Sequence, residues 1–140
     1  MQYYGDMEVR FRGPAKVLRE LPDALEKHKR GIPKKRREVR RALTATVEQL
    51  KKKLGPLDKA PDDEAAEVLL DYFSECADVD VAGFCEAAKA QPEMEIQIRA
   101  KLGDSISDKK VLYTFFSRKG ENDLAGEQGT DQFFLKTLEY

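Results

Sequence analysis

The densest set of side chains able to do chemistry is KHKRGIPKKRREVRR, residues 27–41, with nine Lys or Arg against one Glu. Such a cluster neutralises phosphates and releases their counterions, which gives affinity without reading a base sequence, and the five-donor fork of arginine suits phosphate oxygens. It would equally dock on an acidic protein surface or lie on anionic lipid. The competing reading is a solvated helix surface whose charges pair with Glu38 and with the acids of the second half of the chain. Lys34, Lys35, Arg37, Arg40 and Arg41 are the residues expected to meet a polyanionic partner, RNA or an acidic protein surface.

Other candidates carry less. His28 could act as a general base only with an orienting carboxylate and a substrate cleft, and spacing supplies neither, so it is placed on the helix dipole at a helix end. Asp78-Val-Asp80-Val-Ala-Gly83 begins like a calcium loop, but its fifth position is Ala82 and its twelfth is Lys89, where a bidentate carboxylate belongs. Asp78 is read as a turn residue and Asp80 as a helix cap. Cys76 and Cys85 read as packing thiols on adjacent helices, without a CxxC spacing or a basic neighbour to lower a thiol pKa. Gly120, Gly126 and Gly129 do not precede GK[ST] and open onto a strand, unlike a phosphate loop. Tyr113, Phe115, Phe116, Phe133 and Phe134 could stack bases, but on strands apolar on both sides they read as core. With one histidine and no tryptophan, no catalytic residue, metal or cofactor is expected.

The 140 residues suit one domain, with 41% hydrophobic and 36% charged residues, enough for one core beneath a strongly ionic surface. The net charge of -1 conceals an asymmetry: residues 1–54 hold 16 Lys and Arg against 7 acids, net +9, and residues 55–140 hold 9 against 19, net -10. The halves are expected either to attract each other, within or between chains, or to recruit an acidic partner. No apolar run reaches membrane length, MQYYGDMEVRFRG lacks the pattern of a signal peptide, and two cysteines make no disulfide framework. A soluble protein of the reducing cytoplasm is expected.

The elements that must position these residues follow from periodicity. Met7, Val9 and Phe11 alternate with charges, a short half-buried strand. Val17, Leu18, Leu21, Leu25 and His28 mark an amphipathic helix, kinked or restarted at Pro22 and closed by Gly31. A second helix begins at Pro33 and keeps Val39, Leu43, Val47, Leu50 and Leu54 on one stripe, with Lys34, Arg37, Arg41, Glu48 and Lys52 outward. A third is expected from Asp62 to Cys76, burying Ala65, Leu69, Tyr72, Phe73 and Cys76, and a fourth follows Asp80. Met94, Ile96, Ile98, Ala100 and Leu102 then alternate with polar residues, KKVLYTFFSRK reads as a central strand, and QFFLKTLEY as a last one after a Gly-rich loop.

The expected fold is α+β: an antiparallel sheet, the N-terminal strand plus a C-terminal three-stranded meander, covered by about four helices. Residues 1–140 form a single domain, with a basic strand-helix-helix half (1–55) and an acidic half of helical hairpin and meander (56–140). The expected function is that of a non-enzymatic binding module docking its partner through the basic helix, with a small structural subunit of a larger assembly as alternative. In order of elements, a strand, two helices and a meander, the chain resembles small microbial ribonuclease toxins of the RelE type. That resemblance implies RNA cleavage, for which the sheet offers the basic residues Arg99, Lys101, Arg118 and Lys136. The hairpin from 61 to 91 would be extra.

Overall fold

In the computed structural model, the alternation of Met7, Val9 and Phe11 with charged residues becomes the middle of strand β1 (Tyr3–Pro14). Residues 3–104, 110–118, 121–122 and 138–139 are described, with side chains up to residue 103. After β1 come helices α1 (Ala15–Arg30) and α2 (Arg37–Lys53), a 3-10 turn at Gly55–Leu57, strand β2 (Ala65–Ser74) and helix α3 (Ala77–Ala90). Strands β3 (Glu95–Asp104), β4 (Lys110–Arg118), β5 (Glu121–Asn122) and β6 (Leu138–Glu139) complete the order. The sheet runs β2-β1-β3-β4-β5, with β6 also on β4, and all its pairs are antiparallel. The chain is therefore α+β, with three helices rather than four among the described residues. Most of the Gly-rich loop and of QFFLKTLEY, and the side chains of the aromatic group, lie outside them.

The missing helix is the main correction. Within residues 62–76, Ala65–Ser74 folds as β2, pairing with β1 from Gly5↔Ser74 to Pro14↔Ala65. AAEVLLDYFS carries two competing stripes, and the two-residue period prevails: Val68, Leu70 and Ser74 are buried while Glu67, Leu69, Asp71 and Phe73 are exposed. A short apolar run has no decisive period of its own, so the unpaired edge of β1, twelve residues long, decides the matter by offering a ladder of backbone hydrogen bonds. The expected burial of Ala65, Leu69 and Phe73 is reversed. The helical hairpin becomes a strand followed by a helix, and Cys76 and Cys85 belong to one helix, as its N-cap and an interior residue.

Glycine is required at one place where β1 passes β3. Gly5 has φ +153°, and a Cβ there would lie 1.9 Å from the Lys101 carbonyl oxygen. On the helical side, α1 is unbroken at Pro22, which is buried and omits one backbone bond without ending the helix. No side chain caps its start. Instead, the amides of Ala15 and Lys16 donate to the carbonyls of Glu64 and Asp62, at 2.8 and 3.1 Å. Arg19 fastens the same loop, donating to the carbonyls of Leu57 and Ala60 at 3.0 and 2.7 Å and pairing with Asp62. This anchoring fixes where β2 begins.

α2 starts later than expected. Pro33 opens a turn in which the Arg36 amide donates to its carbonyl at 3.0 Å, so Lys34 and Lys35 precede the helix. The expected stripe is otherwise in place: Leu43, Val47, Leu50 and Leu54 are buried and Val39 is packed at the core's margin. α3 is the innermost helix. Small residues let it approach α2 closely; a Cβ on Gly83 would sit 3.2 Å from that of Ala42. On its other side Phe84 meets Phe11 edge-on, with ring centroids 6.0 Å apart. Met94, Ile96, Ile98, Ala100 and Leu102 of β3 and its approach face the helices, while Arg99 and Lys101 face outward, as their alternation predicts. No helix among the described residues is long and apolar enough to cross a membrane.

Candidate functional site

α3 is apolar nearly all round, as a helix between a sheet and another helix must be. Glu86 interrupts it. A buried carboxylate is tolerable only when paired and hydrogen-bonded, and three basic residues from three places in the chain converge on it. His28 Nε2, from the last turn of α1, is 2.7 Å from one carboxylate oxygen. Arg36, from the α1–α2 turn, donates to the other at 3.3 Å, and Lys89, one turn along α3, approaches the same oxygen at 3.6 Å. Burial alone would raise the carboxyl pKa of Glu86, but His28, Lys89 and Arg36 outweigh it and hold the carboxyl below the ordinary glutamate value.

The cluster forms the wall of an open cleft of about 800 Å³ where the C-terminal ends of α1 and α3 meet. Lys27 stands at its rim, and Ala24, Ile32, Pro33 and Ala90 give it an apolar side. His28 thus has both the orienting carboxylate and the cleft that spacing could not supply. A histidine held this way can transfer protons. Among the described residues the lining contains no hydroxyl or thiol side chain. The one sequence cue was a lone Glu within the small apolar run AGFCEAAKA.

Arg36 also lines a second groove, of about 440 Å³, at the N-terminal end of α2. Lys35 and Arg37 line it too, along with Glu38 and Asp78. Of the residues expected to meet a polyanion, the structure brings Lys35 and Arg37 into this groove. Lys34 is exposed on the turn beside it, and Arg41 is exposed one turn along α2 on the same side as Arg37. Arg40 is half-buried and its carbonyl accepts from the Thr44 hydroxyl at 3.1 Å. Among the described residues none of Lys34, Lys35, Arg37, Arg40 and Arg41 is in an ion pair. Cations at the positive end of a helix are placed against its dipole.

Asp80 does not cap α3; it lies inside the first turn. Its carboxylate accepts from the hydroxyls of Tyr72 and Ser74, at 2.9 and 2.7 Å, tying β2 to α3. Burial raises the Asp80 pKa against the lowering effect of those two bonds, and raises that of the Tyr72 phenol as well. The Cys76 thiol donates to Asp78 at 3.1 Å, and burial pushes the Cys76 and Cys85 thiols up to about 11 and about 12. Both are free and poorly suited to thiolate chemistry, as the packing reading expects.

The outer face of the sheet holds Arg99 and Lys101, two of the four basic residues that the resemblance to ribonuclease toxins would use. Arg99 is opposite Glu8 and Lys101 opposite Asp6, with Asp71 bordering the same hollow. Arg118 ends β4, and Lys136 lies outside the described residues. β2 and α3 stand between the two helices and the meander, so the order of elements departs from that resemblance. No protein-family model, curated protein or solved structure matches this chain.

Proposed function

We propose that this chain is a non-enzymatic binding module that docks a polyanion, RNA in the first instance, on the corner formed by the α1–α2 turn and the start of α2. The observation that carries this reading is the placement of Lys34, Lys35, Arg37 and Arg41. They are exposed and outside every ion pair among the described residues, and Lys34, Lys35 and Arg37 are gathered at the helix end where cations cost stability. An anion bound there relieves the mutual repulsion of the cations and meets the unpaired amides of the first turn.

Titration with single- and double-stranded RNA over a range of salt tests this. Affinity should fall with a log-log slope of roughly -0.7 to -0.9 per phosphate contact and depend little on base sequence. The double substitution Arg37→Ala and Arg41→Ala should weaken binding and flatten the slope by about one contact per residue removed. Absence of RNA binding at low salt would sink the RNA reading, and binding of an acidic protein surface in its place would identify the other polyanion.

A second reading, a subunit of a larger assembly, draws on the opposite side of the molecule. Leu69 and Phe73 of β2 and Tyr4 of β1 are large exposed apolar side chains, and β2 is an edge strand among the described residues. A salt-insensitive oligomer that dissociates on Phe73→Ser would favour it.

A further inference from the structure

We infer that the cleft around Glu86 is a separate site for a phosphomonoester, in which Lys27, His28, Arg36 and Lys89 face the phosphoryl group and Glu86 positions three of them. The argument begins with charge. One buried carboxylate needs one cation, yet Lys27, Arg36 and Lys89 all border this cleft, and Lys27 is in no ion pair among the described residues. Among the described residues that line the cleft, Lys27 and Arg36 less Glu86 leave +1 before His28 and Lys89 are counted. The C-terminal ends of α1 and α3 oppose an anion with partial charges of roughly -0.5 each, and Lys89 and His28 stand on the cationic side against them. A phosphomonoester brings about -1.5 to -2 at neutral pH, with three acceptor oxygens for these donors.

Geometry supports the same ligand class. Glu86 occupies one nitrogen of His28 and one of Arg36, at 2.7 and 3.3 Å, so ring and guanidinium are oriented while their remaining donors stay unspent on it. The volume of about 800 Å³ exceeds the needs of a bare phosphate and lies within the usual span of small-molecule sites, ~300 to 1,000 Å³. Ile32 and Pro33 offer an apolar wall to the group that carries the phosphate. This site is distinct from the polyanion corner: Arg37 and Arg41 do not line it. The phosphomonoester could be a free mononucleotide or the 5′ end of an RNA, which share this chemistry.

His28 is the only histidine in the chain, so its ring protons report on the cleft without ambiguity in an NMR titration of the full chain. Adenosine 5′-monophosphate should shift them saturably, and adenosine should not. Lys89→Ala and Arg36→Ala should each weaken binding by about tenfold, as expected for loss of a charge-assisted contact, while Arg37→Ala leaves it unchanged. A 5′-phosphorylated RNA that displaces the nucleotide where its 5′-hydroxyl counterpart does not would identify the RNA end as source. Failure of both RNAs to displace it would identify the free nucleotide. Equal shifts with adenosine, equal displacement by the two RNAs, or undiminished binding by Lys89→Ala would overturn the proposal. Because Arg37→Ala and Arg41→Ala test the polyanion corner alone, the two readings fail independently.

Discussion

Arg10, Arg12 and Arg19 contrast with Lys34, Lys35, Arg37, Arg40 and Arg41, although all belong to the basic half. The first three each meet an acid from the acidic half: Arg12 lies 2.6 Å and Arg10 4.0 Å from Glu67, and Arg19 pairs with Asp62. The other five meet none among the described residues. The charge asymmetry therefore has two components. One is consumed inside the fold, joining β1 and α1 to β2 and its approach, and the other is left facing outward at the start of α2. Between them stands Arg36, which serves the buried Glu86 and borders both grooves.

The strongest test of this contrast removes the platform both regions share. Leu43, fully buried beneath α2, should cost ~2 to 5 kcal/mol on truncation to alanine, measured by denaturant unfolding, because a buried leucine loses its transfer energy and leaves a cavity. A cost below ~1 kcal/mol would mean that α2 is not packed on the core as described.

Next in size is the buried carboxylate. Glu86→Gln should lower stability by about 1 to 3 kcal/mol at neutral pH, the range for groups left without their charged partner. Its pH dependence has a definite sign. The folded pKa is depressed, so the contribution of the carboxylate is complete above the ordinary value of 4.5 and is lost as pH falls through the folded value. Wild type and Glu86→Gln should converge in acid. Asp80 acts oppositely: its folded pKa is raised, so ionisation costs stability as pH climbs from the ordinary 3.8 toward the folded value. Asp80→Asn should remove that cost and retain an acceptor for Tyr72 and Ser74. Thermal unfolding of the two variants between acid and neutral pH separates the effects.

A smaller effect divides the two sets of cations directly. Arg19→Ala, which loses two carbonyl contacts as well as Asp62, should destabilise by ~1 kcal/mol. Arg12→Ala should cost at most ~1 kcal/mol, since Arg12 and Glu67 are largely exposed. The smallest effect is predicted for Arg37→Ala and Arg41→Ala, within ~0.5 kcal/mol of wild type by unfolding while RNA affinity falls. Stability losses for these two as large as that of Arg19→Ala would erase the distinction between the two sets.

Much of this fold was legible in local periodicity. Strict alternation in β1 and β3 assigns faces because a one-residue slip would turn every apolar side chain to water. The spacing of Leu43, Val47 and Leu50 identifies the buried side of α2 for the same reason at helical period. The concentration of nine cations in residues 27–41 is equally a property of the chain itself. Where two periods fit one segment, as at 65–74, local pattern could not choose. The available edge of β1 chose, because backbone pairing is a partner's contribution and not the segment's own. The cluster at Glu86 lay further out of reach. It joins residues 58 and 50 positions apart, and no spacing rule relates them until α1, the turn and α3 are packed. Tertiary structure alone decided which cations neutralise that carboxylate and which remain on the surface, because burying one charge compels the fold to bring its partners to it.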